Sequence, residues 1–188
     1  MSITESLTTT GLPEAGTYAL DVSHSHVGFK VRHLMVSKVR GRFADFAGAV
    51  VIAEEPLDSS VEVTVQLASI DTRDAGRDEH LRGADFFAVD EHPEMTFVST
   101  GLREVGKGAF VVDGELTLLG VTKPLTLDVT FGGTATDPWG GSRAAFVATG
   151  ELDREDFGLT WNQALESGGV LVGKKVEIEI EAEVVQQS

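Results

Sequence analysis

Three closely spaced histidines, His24, His26 and His33, are the first residues in this chain with types suited to metal chemistry. Neutral imidazole binds Zn²⁺, but a stable site needs three or four ligands. On a β-strand His24 and His26 share one face, whereas His33 has the opposite parity and lies on the other face. We therefore expect strand-end histidines that hydrogen-bond nearby loops, and no metal site.

A mixed acidic and basic segment is the second candidate. Its ionisable residues are Arg73, Arg77, Asp78, Glu79, His80, Arg82, Asp85, Asp90, Glu91 and His92. Paired carboxylates perform acid–base catalysis only where a cleft shifts their pKa values. Because basic residues alternate with acidic ones, we expect a structural network of ion pairs. Asp74 is predicted to cap a short helix through Leu81, which Gly83 ends in a left-handed conformation.

The remaining composition excludes several classes of function. Gly168–Lys175 is similar to a phosphate-binding loop, but Lys175 stands where a Ser or Thr is required and a strand pattern follows. The chain has no cysteine and a net charge of -15, which disfavours thiolate chemistry and nucleic-acid binding. It has neither a secretory signal pattern nor an apolar run of membrane-spanning length. We expect a cytoplasmic protein without a cofactor or an integral membrane segment.

Most of the chain shows the period-two alternation of strands with one apolar and one polar face. About eight or nine strands are predicted, over residues 18–21, 25–34, 43–53, 61–69, 95–102, 110–118, 125–131, 143–152 and 176–184. Turns are predicted at Gly101, Gly106–Gly108, Gly120, Gly132–Gly133 and Gly140–Gly141, and a second helix or loop near Glu155–Gly169. Residues 1–15 are predicted to be a flexible arm. The pattern alone fits either a sandwich or a closed barrel.

Four separated stretches resemble the YceI-like family of lipocalin-like, polyisoprenoid-binding proteins. They are LDVSHSHVGFKVRHLMVSKVRGRF, SIDTRDAGRDEHLRGADFFAVDEHPEMTFVST, VDGELTLLGVTKPLTLDVTFGG and REDFGL, in the family's order. The resemblance implies an all-β fold: an extended antiparallel eight-stranded lipocalin-like barrel over residues 16–188, with one or two short helices. It further implies a long-chain isoprenoid lipid as the partner, with a homodimer also compatible.

The inward face of that barrel supplies the predicted lipid-binding residues. They are Val27, Phe29, Val31, His33, Val63, Val65, Phe97, Phe110, Val112, Leu116, Leu127, Val129, Phe131, Phe146, Ile178 and Ile180. Sequestration, transport or storage of an isoprenoid-quinone-type lipid, without catalysis, is the expected function. Two alternatives stay open: an enzyme for a small apolar substrate, with His33 or His80 as the acid–base group, and a structural module with a filled core.

Overall fold

The computed structural model describes residues 11–188 as eleven strand segments and one α-helix. Residues 1–10 of the predicted flexible arm lie outside the described residues. The strands are β1 (Gly16–Leu20), β2 (His26–His33), β3 (Ser37–Phe43), β4 (Phe46–Ile52), β5 (Ser60–Gln66), β6 (Ile70–Asp71), β7 (Glu94–Gly106), β8 (Ala109–Leu118), β9 (Val121–Thr136), β10 (Ser142–Asp153) and β11 (Val172–Gln186). The helix α1 covers Ala75–Arg82, and short 3-10 helices lie at Val22–His24, Pro56–Asp58, Leu67–Ser69 and Arg154–Phe157.

These segments form a closed antiparallel barrel of eight strands. Three pairs of segments, β1 with β2, β3 with β4 and β5 with β6, each continue along one edge of the neighbouring strand and act as one bent strand. The last strand, β11, closes the ring by pairing with both β1 and β2, as at Leu20–Val184 and Phe29–Ile178. This closure of the ring confirms the predicted barrel.

Several predicted turns are instead bulges inside long strands. Gly101 lies in β7 where the register to β8 shifts, and Gly132–Gly133 lie in β9 where the register to β10 shifts. A bulge bends a strand without ending it, which barrel closure requires. The turn predictions at these two places are wrong, whereas Gly108, Gly120 and Gly140 do lie in turns, with positive φ.

Two irregular segments cover one end of the barrel, which we call the helix end. One runs from β6 to β7 and contains α1, and the other is the loop between β10 and β11. Asp74 caps α1 by accepting a hydrogen bond from the Arg77 N–H, as predicted. Gly83 ends the helix in an extended conformation (φ -80°), so the predicted left-handed stop is wrong. The opposite end, which we call the loop end, carries the turns 53–59, 107–108 and 137–141.

Side chains that point inward form the core. The main buried cluster includes Phe43, Leu67, Ile70, Leu118 and Phe157 near the helix end. A smaller one joins Tyr18, Ala144 and Val184 near the loop end. Within residues 11–188, no helix is both long and apolar enough to cross a bilayer.

Candidate ligand-binding cavity

The barrel encloses a cavity of about 710 Å³. Its walls are the inward faces of the strands, and most of the lining side chains are Val, Leu, Ile and Phe. The volume falls in the range of small-molecule binding sites. Water gains few hydrogen bonds in such a space, so an apolar guest is the natural occupant.

The structure gathers the sequence-predicted lipid-binding residues around this cavity, with one exception. The lining members are Val27, Phe29, Val31, His33, Val63, Val65, Phe97, Phe110, Val112, Leu116, Leu127, Val129, Phe146, Ile178 and Ile180. Phe131 is the exception: its ring lies 5.5 Å from that of Phe146 and packs against the smaller core cluster. Phe131 pairs with Phe146 and keeps the inward parity of Val129, so it faces the interior near the loop end but outside the cavity lining.

A buried arginine holds the β10–β11 loop against the helix end of the cavity. Arg154 is 3 % exposed, and its guanidinium donates to the carbonyls of Leu159 (2.6 Å), Trp161 (2.9 Å), Gly173 (2.8 Å) and Val172 (3.4 Å). Burial lowers the pKa of Arg154, while the nearby carboxylates of Glu155 and Asp153 favour its charged form. Because its donors are used by backbone carbonyls, this cation organises the loop.

A second polar cluster joins α1 to β6. Arg77 donates through Nε to Thr72 Oγ1 and through Nη2 to the Thr72 carbonyl, both at 2.7 Å. The buried Asp78 carboxylate accepts from the Thr72 N–H (2.9 Å) and from its hydroxyl (2.5 Å). Arg77 and Thr72 both line the cavity, yet the Thr72 hydroxyl and Nε and Nη2 of Arg77 are already engaged with protein.

His80 and Trp161 form an aromatic wall where these two segments meet. Their ring centroids are 4.8 Å apart, and Phe86 lies 5.1 Å from His80 and 5.3 Å from Trp161. His80 Nε2 lies 2.9 Å from Asp85 Oδ2. Sequence reasoning missed Trp161, Leu159 and the role of Arg154, because this loop has no strand or helix period to mark its inward residues.

The mixed acidic and basic segment forms fewer ion pairs than expected. Among the described residues its pairs are His80–Asp85 and the long Arg82–Glu79 contact at 3.9 Å. Asp74 and Asp78 instead accept hydrogen bonds from Arg77 and Thr72. The carboxylates here shape the turn between β6 and α1.

The three histidines do not converge. His33 lines the cavity, His26 is exposed on the outer face, and His24 lies at the end of a 3-10 helix. His24 Nδ1 lies 3.0 Å from Asp21 Oδ2, and Glu183 completes a cluster with metal-ligand spacing. Arg143, however, donates at 2.8 Å to both carboxylates and supplies the positive charge there.

The closed eight-stranded barrel and its apolar lumen define a lipocalin-like protein. The YceI-like domain model matches residues 18–184, and the chain belongs to that family. Protein YceI of Salmonella newport is 40% identical over 184 residues, covering 96% of this chain and 93% of the relative.

Solved structures agree on the fold. The crystal structure of Burkholderia cenocepacia BcnA superposes with a TM-score of 0.77 at 22% identity, over 87% of this chain and 98% of BcnA. A polyisoprenoid-binding domain from Saccharophagus degradans, implicated in plant cell wall breakdown, superposes with a TM-score of 0.67 at 13% identity, over 93% of this chain and 100% of that domain.

Proposed function

We propose that this protein binds a long-chain isoprenoid lipid in the barrel and carries or stores it without chemical change. The observation that carries the proposal is the apolar cavity of about 710 Å³ running between the strands. Membership of the YceI-like family and the likeness in fold to a polyisoprenoid-binding domain support the ligand class. The cavity argues against a filled core, one of the open alternatives.

The lining favours binding over catalysis. Acid–base chemistry on an apolar substrate needs polar groups free to approach it. Thr72, Arg77 and Arg154 are instead held by protein partners, and His80 contacts Asp85, which leaves His33 as the acid–base candidate among the described lining residues. Among residues 11–188, every fully buried side-chain nitrogen or oxygen has a hydrogen-bond partner.

The hydrophobic effect accounts for useful affinity in such a lumen. Each buried methylene contributes about 0.8 kcal/mol, so one five-carbon unit contributes up to about 4 kcal/mol. Three units nominally exceed the ~8 kcal/mol of micromolar binding before ordering costs are subtracted. Affinity should therefore rise with tail length until the cavity is full.

The decisive experiment is native mass spectrometry of protein purified without detergent, followed by titration of delipidated protein with geraniol, farnesol and geranylgeraniol. We expect a co-purified prenyl lipid and affinities that increase along this series. Unbranched alcohols of matched carbon number are the controls for isoprenoid selectivity. A bare protein mass together with no saturable prenyl binding would overturn the proposal.

Finer assignments remain predictions. They are a quinone-type head group, transport as opposed to storage, a cytoplasmic location, a homodimer and the absence of catalysis. Lipid extraction from the purified protein identifies the head group, and multi-angle light scattering measures whether the protein is a homodimer.

A further inference from the structure

The β2–β3 hairpin ends in three exposed apolar residues. Leu34, Met35 and Val36 are 41%, 49% and 82% exposed. Single exposed apolar side chains are common on protein surfaces, but three in succession at the tip of a hairpin indicate an interaction site. The tip adjoins the cavity lining, because the Leu34 N–H donates to the carbonyl of Leu171, a lining residue.

Two residues at this tip have a backbone conformation that is energetically unfavourable for their side chains. Leu34 and Met35 have φ values of 53° and 63°, in the left-handed region that favours Gly and Asn. The β8–β9 turn uses the same region at Leu119 but follows it with Gly120. Met35 lies against Gly169 of the β10–β11 loop, but about half of its surface stays exposed, and this combination of strain and exposure favours a contact with a partner.

The outer face of the same hairpin is basic in a chain that carries a net charge of -15. Its outward cations are Lys30, Arg32, Lys38, Arg40 and Arg42. Lys30, Lys38 and Arg42 pair with Glu179, Glu177 and Asp71. Arg40 forms no ion pair within residues 11–188, and Arg32 donates to the Met35 carbonyl at 3.2 Å.

A small groove of about 120 Å³ runs along this basic face. Four cations and two carboxylates line it: Lys30, Arg32, Lys38, Lys175, Glu151 and Glu177. Arg32 borders both this groove and the internal cavity. An anionic group on the outside would thus lie next to the helix end of the lumen.

We propose that the β2–β3 hairpin docks this protein onto an anionic bilayer. Val36 and Met35 enter the boundary between head groups and acyl chains, while Arg32 and Arg40 meet lipid phosphates. The acidic remainder of the surface keeps the contact reversible and sets one orientation, with the helix end of the cavity facing the membrane. The docking proposal rests on the proposed lipid-carrier function only for the identity of the molecule that is exchanged at the membrane.

Vesicle flotation tests the docking. We expect the full chain to bind phosphatidylcholine vesicles containing phosphatidylglycerol, to bind pure phosphatidylcholine far less, and to detach as salt rises. Val36→Asp should lower the vesicle partition coefficient at least about tenfold. Arg40→Glu should lower it at least about fivefold, because one cation near an anionic surface contributes about a factor of five. Equal binding to both kinds of vesicle, or unchanged binding of these variants, would overturn the proposal.

Matched controls on β7 carry the same changes at other exposed positions. Val105→Asp alters a residue that is 61% exposed, and Arg103→Glu alters a cation that faces Asp113. Both variants should bind vesicles like the unaltered protein. Farnesol binding in vesicle-free buffer separates the docking proposal from the carrier proposal. Val36→Asp should bind farnesol like the unaltered protein. If the unaltered protein binds no farnesol, the carrier function alone is defeated. A dimer in solution that buries Val36 would also count against docking.

Discussion

The ring of Phe29 lies across Gly41, its antiparallel partner on β3, where a Cβ atom on residue 41 would occupy the same space as the ring. Phe97 on β7 covers Gly114 on β8 in the same way. In each case a glycine on the inward face lets an aromatic ring lie along the wall. The lumen therefore stays open although phenylalanines line it.

Gly41→Ala should close part of this space. The added methyl group forces the Phe29 ring off the wall and into the cavity, and overpacking of this kind costs about 1–3 kcal/mol of stability. We expect affinity for farnesol to fall at least about tenfold, measured by calorimetric titration. Gly101→Ala is the control, because a Cβ at that position meets no atom within 4 Å. Unchanged affinity in Gly41→Ala would contradict the arrangement.

Val129→Asp and Val147→Asp place the same carboxylate on opposite sides of the wall. Val129 lines the cavity, whereas Val147 is 46% exposed on the neighbouring strand. A carboxylate in the apolar lumen has no partner, so Val129→Asp should lose prenyl binding and about 2–4 kcal/mol of unfolding free energy. Val147→Asp should behave like the unaltered protein in both assays.

The milder change Val129→Thr keeps the inward assignment testable if Val129→Asp fails to fold. It adds a hydroxyl at nearly constant volume, and we expect a folded protein with weaker farnesol binding. Tight binding by folded Val129→Thr and folded Val129→Asp alike would place the lipid elsewhere.

Alternation predicted the strands well because each has one apolar and one polar face. Parity alone therefore assigned Val27, Phe29 and Ile178 to the apolar face of their strands, and in the structure these residues line the cavity. Most of strand β3 was missed. Its outward residues Lys38, Arg40 and Arg42 are charged, and its inward face has only Val39 and Phe43 as large apolar residues. The packing role of Gly41 could not be predicted, because it depends on a ring from another strand.

The helix end could not be predicted in the same way. Trp161 and Leu159 lie in a loop whose shape comes from Arg154, a contact between a side chain and distant carbonyls. Phe131 has the inward parity of Val129, but parity alone does not tell that it packs against the smaller buried cluster at the loop end and not along the cavity. Bulges and side-chain-to-backbone contacts carry no periodic signal in a sequence.

Arg154→Met should loosen the helix end. The methionine keeps much of the apolar stem but leaves buried carbonyls, including those of Leu159 and Gly173, without their donor. We expect a loss of about 2–4 kcal/mol in denaturant unfolding, since each unsatisfied buried group costs about 1–3 kcal/mol. Proteolysis within residues 158–171 should also become faster. Arg103→Met, at an exposed site, should change neither measurement.

The stability of the loop end should depend on pH through Arg143. This guanidinium donates to Asp21, Asp137 and Glu183 at 2.8–2.9 Å. The Ser23 hydroxyl, with Arg143 and His24, holds the pKa of Asp21 well below its usual value. The hydrogen bond from the Gly141 N–H lowers the pKa of Asp137 most, and the hydrogen bond from Arg143 lowers it further. A carboxyl group with a lowered folded pKa stabilises the fold above its unfolded value, near 3.9, and loses that contribution as the pH falls through the folded value.

Arg143→Met should therefore lower the thermal midpoint by a few degrees near neutral pH, and its difference from the unaltered protein should narrow only as the pH falls toward the lowered folded pKa values of Asp21 and Asp137, well below about pH 4. Part of the acid sensitivity should persist, because Ser23 and Gly141 still donate to the two aspartates. Arg143→Lys keeps the charge but cannot reach three carboxylates with a planar fork, so an intermediate midpoint is expected. Calorimetry from pH 7 down to about pH 2 checks this, and a midpoint difference that stays constant over that whole range would show that Arg143 acts through packing and not through these carboxylates.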